Sequence, residues 1–180
     1  MFLVILVQMK IKHKIILETD RLTLRQFTIH DTDFIIKLLN SPGWLEFIGD
    51  RNIRTEEQAR QYLLNGPIKS YEENGFGLSL VELKQNKIPI GMCGLLKRDY
   101  LENPDIGFAF LGENTGKGYA FEIAKATMNY AKHILKIPCV MGITLPTNKS
   151  SIRLLERIGL KFLKLTSPPT GTEELMLFSN

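Results

Sequence analysis

Between residues 104 and 120 the chain reads PDIGFAFLGENTGKGYA, and this stretch carries two kinds of chemistry. Read as a strand, it points Ile106, Phe108 and Phe110 to one face and Asp105, Gly107, Ala109 and Leu111 to the other. The first face is bulky and suits packing on a helix. The second bears a carboxylate followed by two nearly bare positions, which leaves room for a small molecule beside the backbone. Asp105 can serve there as a proton acceptor, or it is a solvated residue at a strand start after Pro104. Beyond the strand, Gly112, Gly116 and Gly118 crowd in front of a helical pattern. Its apolar positions are Ala120, Ile123, Ala124, Thr127, Ala131 and Ile134; its polar ones are Glu122, Lys125, Asn129, Lys132 and Lys136. Gly116 and Gly118 then fall at the first turn, where several N–H groups have no intrahelical partner. Without side chains in the way, those donors can approach a phosphate closely, the helix dipole favours its charge, and Lys117 adds a cation. A plain turn that uses glycine for its φ freedom explains the pair equally well. Neither a phosphate loop ending in Gly-Lys-Ser/Thr nor a dinucleotide fingerprint is present.

These groups need elements to hold them. IILETDRLTLRQF alternates from Leu22 to Leu24 and on to Phe27, the period of one half-buried strand, and HDTDFIIKLLN then gives a helix closed by SPG. In RTEEQARQYLL, Thr55 with Gln58 has the spacing of a capping box. FGLSLVEL and IPIGMCGLLK read as paired strands joined by KQNK, and DIGFAFL is the next strand. CVMGITL, the helix NKSSIRLLERIG and the strands LKFLKL and EELMLF complete the chain. The order β-α-α-β-β-β-α-β-α-β-β predicts a single mixed α/β domain over residues 15–180, preceded by an extension over 1–14.

Composition narrows the function. A chain of 180 residues that is 44% hydrophobic fills one core. Three lysines in residues 1–14 supply most of the formal charge of +4, and the remainder holds 20 basic against 19 acidic residues. That balance argues against a nucleic-acid partner. The opening MFLVILVQMK is too short to span a membrane and lacks the charge and cleavage site of an export signal, so a cytoplasmic protein without a membrane partner is expected. Cys93 and Cys139 sit in apolar runs without metal-type spacing and read as buried, reduced thiols. His30 and His133, on helical stretches, lack ligand partners, so no metal is expected.

ENTGKGYA together with NKSSIRLLERIGL closely resembles the GNAT superfamily of acyl-CoA N-acyltransferases. TDRLTLRQF, IGDRNIRTEEQARQYL and DIGFAF extend the likeness over residues 16–178. The sub-group it is most similar to acetylates α-amino groups of ribosomal proteins. The resemblance implies an α/β (α+β) GNAT domain whose mixed sheet is splayed at the acyl-CoA site, with helices on both faces. It implies acetyl-CoA as co-substrate and direct attack by a primary amine, on a protein N-terminus or a small molecule, in a ternary complex of a monomer or homodimer. The alternative is a weakly active or inactive GNAT fold that holds CoA as a sensor or scaffold.

The family's turn, Gln/Arg-x-x-Gly-x-Gly/Ala, implies that the amides of Gly116, Lys117, Gly118, Tyr119 and Ala120 hold the pyrophosphate. Glu113 departs from the first position of that pattern, and Thr115 stands where relatives often carry an aromatic residue or Gln. Asp105 occupies the place of a carboxylate, usually Glu, that acts as a base through water. By the same resemblance, the backbone of Phe110 and Leu111 meets the pantetheine arm and supplies an oxyanion donor. Asn148, otherwise a helix cap like Thr147, would also bond the pantetheine. Some relatives carry a general-acid Tyr where this chain has Leu155. The thiolate then leaves unaided or is protonated by Ser151. Trp44 and Phe47 would wall the acceptor or pack in the core, and Lys97–Arg98 would form an acceptor rim or a solvent-facing strand end.

Overall fold

The computed structural model describes residues 14–169 and 173–180. Of the extension expected over residues 1–14, only Lys14 lies among them, so that expected boundary lies outside the described residues. The segment read as one strand is a hairpin, β1 (Ile15–Glu18) and β2 (Leu22–Arg25). Thr19 breaks it: its N–H donates to Leu22 O at 2.9 Å, and its hydroxyl accepts from Leu22 N at 3.0 Å. A polar side chain thus competes with the ladder and turns the chain.

Helices α1 (Thr32–Leu39), α2 (Pro42–Phe47) and α3 (Glu56–Leu63) follow. SPG opens α2 rather than closing α1, because Pro42 at its first position forfeits an N–H that would have no partner there. His30 lies in the turn before α1 rather than on a helix. The capping box at Thr55 and Gln58 forms in both directions. After Leu63 the chain continues through a π-helical turn (Leu64–Ile68) into α4 (Lys69–Asn74). Pro67 lies inside that turn and has no N–H for an α-helical bond.

The remaining elements are β3 (Leu78–Leu83), β4 (Pro89–Leu96), β5 (Asp105–Phe110), α5 (Tyr119–His133), β6 (Met141–Thr144), α6 (Lys149–Arg157), β7 (Lys161–Thr166) and β8 (Leu175–Ser179). They form an eight-stranded sheet in the order β1-β2-β3-β4-β5-β6-β8-β7. Every neighbouring pair is antiparallel except β5 with β6. Helices cover both faces. Ile123, Ala124 and Ala131 of α5 and Leu155 of α6 pack with Leu22, Ile106 and Phe178 on one side. Ile35, Leu38, Trp44, Ala59 and Leu63 pack with Leu80 and Met92 on the other.

The predicted face of α5 is buried at Ile123, Ala124, Thr127 and Ala131, but Ala120 is half-buried and Ile134 is 65% exposed. The helix ends at His133, so the helical period no longer places residue 134 on the sheet. Cys93 is fully buried, which pushes its thiol up to about 12. Cys139 is only half-buried and lies in the connection before β6.

Arg25, at the end of β2, is buried and paired twice. Its guanidinium meets Asp31 at 2.8 and 3.0 Å and Glu82 of β3 at 3.1 Å. Burial alone would raise the Asp31 carboxyl, but hydrogen bonds from Arg25 and Thr28 hold it below the usual range. This network ties β2, β3 and the start of α1 together.

Candidate active site

β5 and β6 touch at one register position, Asp105 with Met141, where Met141 N–H donates to Pro104 O at 2.8 Å. Beyond it the strands part. On the other flank β5 remains paired with β4 along its whole length, from Asp105 opposite Leu96 to Phe110 opposite Gly91. Leu111 N–H donates to Ile90 O at 3.0 Å. Alternation along an antiparallel pair therefore turns the backbone groups of Phe108 and Phe110 away from β4 and into the wedge. This corrects one expectation. Leu111 cannot offer its N–H to a ligand, its C=O accepts from Asn114 N at 2.9 Å, and its side chain is buried in the core. Phe110 faces the wedge, and Phe108, not foreseen, faces it too.

The wedge leads into the glycine turn. A 3-10 segment (Gly112–Asn114) is closed by Thr115, whose N–H and hydroxyl both donate to Gly112 O at 3.1 and 2.8 Å. Gly116 and Gly118 adopt φ of +73° and +80°, a left-handed backbone that glycine takes without steric cost. Gly118 is the N-cap of α5, and the first ladder bond runs from Glu122 N to Gly118 O at 3.1 Å. Among the described residues, the amides of Gly116, Lys117, Gly118, Tyr119, Ala120 and Phe121 have no acceptor. Such a row of converging donors at a helix start suits a phosphate group. Glu113 bonds to Lys37 of α1 at 2.9 Å, and that bond holds its carboxyl below the usual range and offsets its charge beside the donors.

Sequence reasoning missed Arg21, in the β1–β2 turn. It donates to Lys117 O at 3.1 Å, lies 4.6 Å from the centre of the Tyr119 ring, and grips Glu122 at 2.6 and 2.7 Å. Its partners lie about a hundred residues later in the chain, beyond the reach of any local pattern.

Asp105 stands where the two strands part. It is not a solvated strand-start residue, being only 1% exposed. Its Oδ1 accepts from Arg98 Nε at 2.9 Å. Burial raises the carboxyl above its ordinary value, although Arg98 works in the opposite direction. Arg98 is thus tied to Asp105 rather than left as a solvent-facing strand end, whereas Lys97 is exposed. It also lines, with Lys97, Asp99, Tyr100 and Pro169, an open cleft of about 450 Å³.

Asn148 caps α6: its Oδ1 accepts from Ser151 N at 3.1 Å and from Ser150 Oγ at 2.8 Å, and its side-chain NH₂ has no acceptor among the described residues. Ser151, half-buried in the first turn of α6, keeps its hydroxyl outside that cap. Leu155 is core, packed against Gly142 of β6 so closely that a Cβ there would meet its Cδ2 at 2.7 Å. Trp44 is core as well, its indole N–H donating to Gly49 O at 3.1 Å; Phe47 is half-buried. Among the described residues no helix is long and apolar enough to cross a membrane, and no cluster of three or more His, Cys, Asp or Glu is placed to hold a metal.

Residues 21–161 match the model of an acetyltransferase (GNAT) domain. The chain is 30% identical over 154 residues to the uncharacterized protein YkkB of Bacillus subtilis, covering 82% of this chain and 86% of that one. Its fold matches RimL, a ribosomal L7/L12 alpha-N-protein acetyltransferase solved with coenzyme A, with a TM-score of 0.79, 14% identity and coverage of 93% and 97% of the two chains. A ribosomal-protein-S5-alanine acetyltransferase from Vibrio fischeri matches with a TM-score of 0.77 and 18% identity, covering 91% of this chain and 94% of that one. A sheet that opens between β5 and β6 toward a donor-lined helix start, and a family match across most of the domain, lead to one conclusion: this chain belongs to the GNAT acetyltransferase family and is an acyltransferase.

Proposed function

We propose that the protein transfers an acetyl group from acetyl-CoA to a primary amine, with both substrates bound together. The observation that carries this reading is the wedge between β5 and β6, which leads from Asp105 to the unpaired amides of residues 116–121. Those amides would hold the pyrophosphate of the cofactor. The pantetheine arm would lie along the wedge, met by the backbone of Phe108 and Phe110 and by the side-chain NH₂ of Asn148. Bound acetyl-CoA supplies an activated acetyl thioester. A backbone N–H in the wedge would face the oxygen on which charge develops, where a fixed donor is worth most.

Asp105 would take the proton from the amine through a water, because its carboxylate is buried and held by Arg98 rather than open to the acceptor. Its raised pKa improves it as a base relative to an ordinary aspartate. The cleft beside Arg98 would be the approach for the amine. Ser151 would protonate the departing thiolate; an unassisted departure is also affordable, since thiol pKa values lie near 8.5. The acceptor would be a protein N-terminus or a small-molecule amine. The test is release of free thiol from acetyl-CoA across a panel of peptides with free N-termini, polyamines and aminoglycosides. Acceptor-dependent release with one class supports the proposal, and thioester that stays intact with every class refutes it.

A further inference from the structure

We infer that Arg21 is a positioning residue for the pyrophosphate site: from the β1–β2 turn it fixes the Lys117–Gly118 peptide so that its N–H faces the anion. This rests on the reading of the glycine turn proposed above.

The argument starts from the peptide itself. In a planar trans peptide the C=O and the N–H point in opposite directions. Arg21 holds Lys117 O at 3.1 Å on the side of the β1–β2 turn, so the Gly118 N–H is directed to the other side. That peptide ends on Gly118, at φ +80°, a residue type that resists rotation of the peptide least, and Gly116, at φ +73°, stands just before Lys117. If it turned over, a carbonyl oxygen would replace a donor beside the anion. An external clamp is therefore needed, and the chain supplies one.

The clamp is itself immobilised. Glu122 accepts from Arg21 Nε at 2.7 Å and from Arg21 N at 3.1 Å, and its carboxylate lies 2.6 Å from the Arg21 NH2 group. Thr19 Oγ1 donates to the same carboxylate at 2.6 Å. The guanidinium also rests on the Tyr119 ring and sits 3.4 Å from where a Cβ on Gly118 would be. Because Glu122 neutralises Arg21, the contribution is one of direction rather than of net charge. A lysine has a single nitrogen and cannot reach the carboxylate, the ring and Lys117 O together.

The experiment measures CoA affinity by calorimetry, and steady-state kinetics with acetyl-CoA and with S-acetylpantetheine, which carries the same thioester without a diphosphate. Arg21→Ala should weaken CoA binding by about tenfold, equivalent to roughly 1.4 kcal/mol. KM for acetyl-CoA should rise more than kcat falls, and turnover of S-acetylpantetheine should change far less. Arg21→Lys should not restore affinity. If Arg21→Ala does not fold, Glu122→Gln, which loosens the clamp without removing it, should show a smaller loss with the same donor selectivity. Unchanged CoA affinity in a folded Arg21 variant, or equal losses with both donors, would overturn the inference. Gly118→Val separates the two levels. Should it also leave CoA affinity unchanged, the pyrophosphate assignment itself fails; should it weaken CoA while the Arg21 variants do not, only the clamp is wrong.

Discussion

Replacing Asp105 with Asn tests the proposed chemistry with little disturbance of the fold. Asn retains an oxygen that can accept from Arg98 Nε, now 2.9 Å from Oδ1. Arg98 keeps 32% of its side chain exposed, so its charge is not stranded in the core. Two changes oppose each other: the guanidinium loses a charged partner, and a buried carboxylate no longer has to ionise. The raised Asp105 pKa means that the wild type has its full stability from this group below the unfolded value and loses it as pH rises through the folded one. Any deficit of the variant should therefore shrink toward high pH. The net change should stay within about 1 kcal/mol, a shift of roughly 2–4 °C in Tm for a chain of this size. Activity should respond far more. Loss of a general base costs about 10²-fold or more in kcat/KM for the amine, equivalent to about 2.7 kcal/mol. CoA affinity should be retained, because the pyrophosphate donors lie at the other end of β5. The assay is a pH–rate profile of both proteins with one confirmed acceptor. The defect should narrow as pH rises and the amine arrives already deprotonated. Superimposable profiles would refute the base assignment and leave Asp105 as the partner that seats Arg98.

Three further outcomes are expected. Asp31→Ala leaves buried Arg25 with Glu82 as its one carboxylate partner and should cost about 3–5 kcal/mol in urea unfolding at pH 7. Since the Asp31 pKa is depressed, its contribution is present above about pH 4 and lost as pH falls through the folded value, so the gap between wild type and variant should close in acid. Gly142→Ala drives a methyl into Leu155 and should lower stability by about 1–3 kcal/mol, read as a drop in Tm. A chain beginning at Ile15 gives up the bond from Gln26 N to Lys14 O and should still bind CoA by calorimetry; a folded chain without affinity would assign the removed segment to the site.

What was legible in the sequence was local. The Thr55–Gln58 capping box, the division of β5 into two faces and the glycine turn depend on neighbours a few residues apart, and each appears in the structure; the room expected beside Gly107 does not, because the Leu96 and Leu78 side chains fill it. Features that depend on distant partners were not legible. Nothing near Leu111 indicates that its amide belongs to Ile90, and nothing near Arg25 indicates that Glu82 waits on the adjacent strand. Asp105 illustrates both cases: its position follows from the strand pattern, whereas its burial and its grip on Arg98 follow from how β4 and β5 are closed. The β1–β2 hairpin was missed because alternation shows only from Leu22 on, while Ile15–Glu18 lacks it and the turn depends on the Thr19 side chain, which takes the Leu22 amide.

The single contact between β5 and β6 also bears on how the domain coheres. The sheet amounts to two hydrogen-bonded blocks, β1–β5 and β6–β8–β7, joined by one backbone position and by the apolar packing of α5 and α6. Cooperativity across that seam rests on side chains rather than on a ladder. The smaller block should accordingly open as a separate unit in native-state hydrogen exchange, at a lower free energy than β3 and β4. A ligand lying in the seam would bond to both sides and fuse the blocks, adding about 2.7 kcal/mol at a hundred times its Kd. The occupied protein should then exchange β6 and β8 amides together with those of β4.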